Sequence, residues 1–154
     1  GTAEWLANRQ GWAPSQGNGI SHACEPDSGM YEAVNRGLDR VPGDILAYLN
    51  CDEQYLPGTL LRVADAFAAD PNLDLLLADA LVIDAAGGLI CRRHVVVPHP
   101  AFVEVDHLPT FTGAMFFRRR VFIDYGLRFD TSLRCVADAA WMVAAVSPPD
   151  STIS

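Results

Sequence analysis

The sequence predicts an α/β fold, and three observations predict it. Helical patterns over 29–39, from about 57 to 69, and over 136–146 alternate with short apolar runs. Two of those runs, ILAYL at 45–49 and GAMFF at 113–117, are compact and bounded by turn residues, as buried strands are. No internal repeat interrupts the alternation, which is the ordering of a layered helix-and-sheet domain.

Residues 1–9 read as the tail of a helix, with Trp5 and Leu6 as its apolar contacts. The stretch 10–28 is rich in Gly, Ser, Asn and Pro and reads as loop. Over 29–39, Met30, Val34 and Leu38 recur at helical spacing, Asp27 or Ser28 can cap the start, and Glu32 favours the first turn. Pro42-Gly43 ends that helix and ILAYL follows as a strand. Pro57 fits a first helical turn, and Leu60, Ala64 and Phe67 then share the expected buried face, with Leu61 and Ala68 beside it. Asp70-Pro71-Asn72 stops the helix. LDLLLADALVID gives one or two strands, LICRRHVVV at 89–97 a partly exposed one, and 98–112 a loop. After GAMFF, RRRVFIDYG at 118–126 reads as a helix ended by Gly126. The last helix, 136–146, has Val136, Ala140, Val143 and Ala144 on adjoining positions, before a polar terminus at 147–154.

The 154 residues are enough for one domain with a real core, and half of them are apolar, which excludes disorder. A net charge of −8 opposes broad binding to nucleic acid or to an anionic membrane. No apolar run reaches the roughly 18 residues of a membrane span. The cysteines at 24, 51, 91 and 135 contain no CxxC pair and read as free thiols. His22, His94, His99 and His107 match no metal-site spacing.

Asp52 and Glu53 stand directly after Asn50 and Cys51, at the C-terminal end of the predicted ILAYL strand. Ligands of open α/β sheets sit at such strand ends. Adjacent carboxylates are a suitable oxygen grip for a hard divalent cation and equally an ordinary solvated loop. Asp138 lies in a nearly apolar helix, as a helix-start residue or as a general base in a cleft. Arg118, Arg119 and Arg120 can meet a diphosphate or simply start a solvated helix.

Four stretches together resemble one family. ACEPDSGMYEAVNRGLD, GDILAYLNCDEQYLPGTLLRVADAF, FTGAMFFRRRVF and GLRFDTSLRCVADAAW, in this order from 24 to about 142, are similar to family 2 glycosyltransferases with the GT-A fold. The resemblance implies a Rossmann-like mixed sheet flanked by helices, here a partial domain lacking the first βαβ portion. It implies inverting transfer of a sugar from a nucleotide-diphosphate donor to an acceptor hydroxyl of a glycan or lipid-linked acceptor, in bacterial polysaccharide or surface-glycan synthesis. Nucleic acid is not among the implied partners. The implied setting is the cytoplasm, at the inner face of the membrane, with membrane contact through the parent chain. The implied cofactor is Mg²⁺ or Mn²⁺ held by Asp52 and Glu53. The implied donor-side positions are Asp27, Gly29, Tyr31, Asn35, Asn50 and Asp52, and the implied base is Asp138. The chain departs from the pattern at Glu53, where aspartate is common, and at Ala140, where a second acidic residue is common. Two readings compete with catalysis: a sugar-nucleotide-binding homologue without turnover, and a nucleotidyltransferase, which would bring Asp79 or Asp84 beside Asp52.

Overall fold

A computed structural model describes Glu4, residues 23–96 and 111–147, and the backbone of 152–153. Four helices and six strands follow in chain order: α1 Met30–Arg40, β1 Ile45–Leu46, α2 Thr59–Ala69, β2 Leu73–Leu77, β3 Ala80–Ile83, β4 Leu89–Arg93, β5 Met115–Arg118, α3 Arg119–Ile123, α4 Ala137–Val146 and β6 Thr152–Ile153. A short 3₁₀ turn, Thr112–Ala114, leads into β5.

The main sheet has the order β1-β5-β2-β6. Strand β5 runs antiparallel between β1 and β2, pairing Leu46 with Phe117 and Leu76 with Phe116, and β6 lies parallel to β2. This is a mixed sheet, as expected. The alternation of strand side chains divides the core. Leu46, Leu75, Leu77, Met115 and Phe117 pack with residues of α1, α3 and α4 on one side. Phe116 and Leu76 pack with Val63 and Phe67 of α2 on the other. Strands β3 and β4 form a separate antiparallel hairpin. Its sides are largely exposed: Leu81, Ile83, Leu89 and Ile90 all reach solvent.

Several expectations are corrected. The first strand stops at Leu46 rather than at residue 49: β5 continues to Met115 against β2, but the chain after Leu46 no longer pairs with it. Pro57 stands before α2, in a turn whose Gly58 is the N-cap, not inside the first helical turn. The buried face of α2 is Val63–Phe67; Leu60 and Leu61 are exposed at 58% and 67%. In α4 the buried residues are Ala137, Trp141, Met142 and Ala145, while Val136, Ala140 and Ala144 are exposed. Both helices are apolar enough that periodicity alone fits two adjacent faces. The stretch read as a polar terminus contributes β6 to the sheet. Of the predicted helix tail at 1–9 only Glu4 is described, as helical, and most of the loop predicted over 98–112 lies outside the described residues.

The three consecutive arginines do not meet a ligand face. Arg118 donates to the carbonyls of Phe67, Asp70 and Leu73 and closes the end of α2. Arg119 donates to the Val41 and Gly43 carbonyls after α1. Arg120 Nε donates to Asp74 Oδ1 at 2.5 Å, and that carboxylate is buried on β2. Each guanidinium satisfies backbone or carboxylate oxygens left over where the chain reverses.

Candidate active site

Beyond Leu46 the chain leaves the sheet and turns at Asn50–Glu53. The Glu53 N–H donates to the Asn50 carbonyl at 3.1 Å, and the Asn50 N–H donates to Glu53 Oε2 at 2.9 Å. This reciprocal pair closes the turn and holds Glu53 half-buried. Gly113, in the 3₁₀ turn, makes room for it: a Cβ there would lie 2.5 Å from Glu53 Oε2 and 3.2 Å from Leu49 Cδ1. Asp52 and Cys51 are exposed on the same turn, and Asp52 has no hydrogen-bond or ion-pair partner among the described residues. Among the described residues no three His, Cys, Asp or Glu side chains gather into a cluster able to hold a metal. Asp52 and Glu53 carry oxygen donors of the kind a hard cation takes, although Glu53 Oε2 already accepts the Asn50 N–H. The donor set is right in kind and incomplete in number.

The start of α1 lies nearby in the fold. Gly29 has φ 151° and ψ 171°, a backbone region suited to glycine, with open space around it. Asp27 Oδ1 accepts the Gly29 N–H at 3.0 Å, and Glu32 reaches back to the Ser28 N–H and hydroxyl. Together they fix the entry to α1, but the N-cap is Gly29 and makes no side-chain capping bond, so neither Asp27 nor Ser28 caps the helix as expected. Tyr31 and Asn35 follow on its buried face. Asn35 holds the structure together: its Nδ2 donates to the Phe129 carbonyl at 2.8 Å, and the Phe129 N–H donates to its Oδ1 at 3.1 Å. That amide is the clip that holds the 127–133 loop against α1.

Phe129 in turn organises the aromatic residues. Its ring stacks on Tyr31, with centroids 5.7 Å apart, and on Trp141 at 5.5 Å, and meets the edge of Tyr48 at 5.5 Å. The Trp141 indole N–H donates to the Leu127 carbonyl. Through this stack α1 and α4 are locked together, and the Tyr31 hydroxyl donates to Asp138 Oδ1 at 3.2 Å. The Tyr31 phenol is raised above the usual value by burial and then by the Asp138 charge, while the Ala137 and Asp138 N–H groups pull the other way.

Tyr48, just after β1, packs on the same aromatic cluster. Burial pushes its phenol up to about 12; a hydrogen bond with the Thr112 side chain opposes the rise, and the charges of Asp138, Tyr31 and Glu53 add to it. Tyr48, Thr112, Gly113 and Phe129 all lie inside the motifs quoted above, yet nothing in the sequence singles them out: Phe129 meets Asn35 across 94 residues, and no local signal marks such a contact. Asp79 and Asp84 do not join the site. Asp79 accepts from Arg92 and the Val95 N–H, with His94 beside it, and Asp84 closes the β3–β4 turn onto Ala86 and Gly88. The arrangement that would have favoured a nucleotidyltransferase is not found among the described residues. His22, His99 and His107 lie outside them. All four cysteines are free and exposed.

Comparison with known proteins bears on this geometry. The model for Glycosyl transferase family 2 matches residues 10–126. The chain belongs to glycosyl transferase family 2. The mixed sheet flanked by helices is accordingly a partial GT-A, Rossmann-like domain. This family 2 domain is 29% identical over 139 residues to a PGL/p-HBAD biosynthesis glycosyltransferase of Mycobacterium tuberculosis (strain ATCC 25618 / H37Rv) and to one of Mycobacterium bovis (strain BCG / Pasteur 1173P2). The match covers 84% of this chain and 52% of each relative, so the chain spans about half the length of the curated relatives it matches. The family match ends short of Asp138, and the site around that residue rests on its geometry.

Proposed function

We propose that this domain carries out inverting glycosyl transfer from a nucleotide-diphosphate sugar to the hydroxyl of a glycan or lipid-linked acceptor, in bacterial surface-glycan synthesis on the cytoplasmic side of the membrane. The observation that carries the reading is the match to glycosyl transferase family 2 over residues 10–126, and beyond it Asp138 stands in the first turn of α4 with the Tyr31 hydroxyl on its Oδ1. In this reading the Asn50–Glu53 turn meets the donor diphosphate and Asp138 meets the acceptor hydroxyl. Family membership supports the reaction class, and the names of the mycobacterial relatives support the biosynthetic setting.

In this reading the acceptor oxygen attacks the anomeric carbon, the bond from that carbon to the diphosphate oxygen breaks, and the acceptor proton passes to Asp138. A single displacement inverts the carbon. Asp138 serves as general base because a carboxylate can take the proton as the nucleophile forms. Mg²⁺ or Mn²⁺, bound by the exposed Asp52 with Glu53 in support, would neutralise charge on the departing diphosphate. Asn50 and Glu53 shape the turn that presents Asp52. Asp27 and Gly29 set the backbone at the start of α1, where the donor-side segment is placed.

The test is turnover by the complete protein with UDP-, GDP- and dTDP-sugars, with Mg²⁺, with Mn²⁺ and with chelator. Metal-dependent loss of sugar from one donor is expected. Measurable donor binding with no turnover of any donor would favour instead a sugar-nucleotide-binding protein, a reading that the exposed Ala140 and the self-bonded Glu53 otherwise motivate.

A further inference from the structure

Helix α4 begins without a side-chain cap of its own: Val136 stands at the N-cap and makes no capping bond. The group that faces the helix start comes from another element. Tyr31, on α1, is 4% exposed, and its hydroxyl donates to Asp138 Oδ1 across a separation of 107 residues. The Ala139 N–H donates to the same Oδ1 at 2.9 Å. Both hydrogen bonds to this carboxylate fall on one oxygen, and Oδ2 has no hydrogen-bond donor among the described residues. The ring that carries the hydroxyl is itself immobilised. It stacks nearly parallel on Phe129, at an interplanar angle of 12°, and Phe129 is clipped by Asn35 and stacked on Trp141 of the same α4.

We propose that Tyr31 is a positioning residue for proton transfer: its hydroxyl, fixed by the Tyr31–Phe129–Trp141 stack, holds Asp138 Oδ1 and leaves Oδ2 as the oxygen that receives the acceptor proton. This assigns Tyr31 to the base rather than to the donor. It also gives Asn35 its purpose, since the clip on Phe129 sets the height of the stack. The inference rests on the reading of Asp138 as base. A carboxylate with both oxygens free samples several rotamers, whereas one oxygen tied at two points leaves a single orientation to the other. The phenol suits this role because it stays protonated, and able to donate, from the pH at which a carboxylate ionises, about 4, up to about pH 10.

The test compares the complete protein with its Tyr31→Phe and Asp138→Asn variants, using donor binding and turnover with the sugar nucleotides above. Tyr31→Phe keeps the ring stack and removes only the hydroxyl. It is expected to lower kcat about tenfold with donor affinity unchanged, and Asp138→Asn to lower kcat about 10²–10⁴-fold. A Tyr31→Phe enzyme as fast as the parent, beside an inactive Asp138→Asn, overturns the positioning role and leaves the base intact. An Asp138→Asn enzyme as fast as the parent overturns the base reading itself. A second measurement needs no substrate. With ¹³Cζ-labelled tyrosine, the Tyr31 phenol should titrate at lower pH in Asp138→Asn than in the parent, because a neighbouring negative charge is gone. An unmoved titration means the contact does not exist in solution and overturns the proposal whatever the kinetics give.

Discussion

Glu53 folds its carboxylate onto the Asn50 N–H at 2.9 Å, while Asp52 beside it stays exposed and unpaired among the described residues. In sequence the two are equivalent neighbours; in the fold Glu53 builds the turn and Asp52 is presented by it. Asp52→Ala should therefore abolish metal-dependent donor binding and leave stability within about 0.5 kcal/mol, as surface substitutions do. Calorimetric titration of donor with and without Mn²⁺ measures the first, and denaturant unfolding the second. Gly113→Ala separates the roles further. Its Cβ would press on Glu53 Oε2 and Cδ and on Leu49 Cδ1, so the turn must shift. Donor binding should weaken although no ligand is lost, and the double variant with Glu53→Ala should lose less than the sum of the two single variants' losses. Additive losses in the double variant would show that Gly113 and Glu53 are not coupled.

At the scale of elements, the arginine run shows what a sequence can and cannot reveal. A row of three cations after a buried strand is visible at once, but its targets are carbonyls at the ends of α1 and α2 and a carboxylate on β2, all distant in sequence. Asp74 was hidden for the same reason: within LDLLL it reads as an interruption of a strand, and only the fold brings Arg120 and Tyr125 to it. Element types were legible where a short apolar run or a clear period dominated, as in α1 and β5. The buried faces of α2 and α4 were not, because alanine and leucine occupy neighbouring faces alike and the choice between them is made by the sheet. The Arg120–Asp74 pair gives a sharp prediction. Arg120→Met should destabilise the domain by about 3–5 kcal/mol, since it strands a buried carboxylate, and Asp74→Leu added to it should recover most of that loss. Urea unfolding of the two variants measures both; an Arg120→Met domain as stable as the parent would mean the pair is not buried in solution.

On the scale of the whole molecule, Tyr48 is where the layers meet. It follows β1, packs on the Phe129 cluster between sheet and helices, and feels the charges of Asp138, Tyr31 and Glu53. Its phenol is held up to about 12, chiefly by burial, against an unfolded value of 10.0. The folded state therefore binds the Tyr48 proton more tightly than the unfolded state does. The stability this provides is complete below pH 10 and is lost as pH rises towards 12. A fully sealed phenol with that shift would lose about 2.7 kcal/mol across the window; the partial exposure of Tyr48 reduces this to about 1 kcal/mol. Tyr31, also raised by burial, adds loss of the same sign. Tyr48→Phe should accordingly flatten the fall in unfolding free energy above pH 10 while costing stability near neutrality, because the hydrogen bond with Thr112 is gone. Urea unfolding at pH 8 and at intervals above pH 10 decides it. If the alkaline slopes of parent and variant coincide, the Tyr48 phenol is not buried in solution, and the packing of the chain after β1 on the Phe129 cluster is not as the fold shows it.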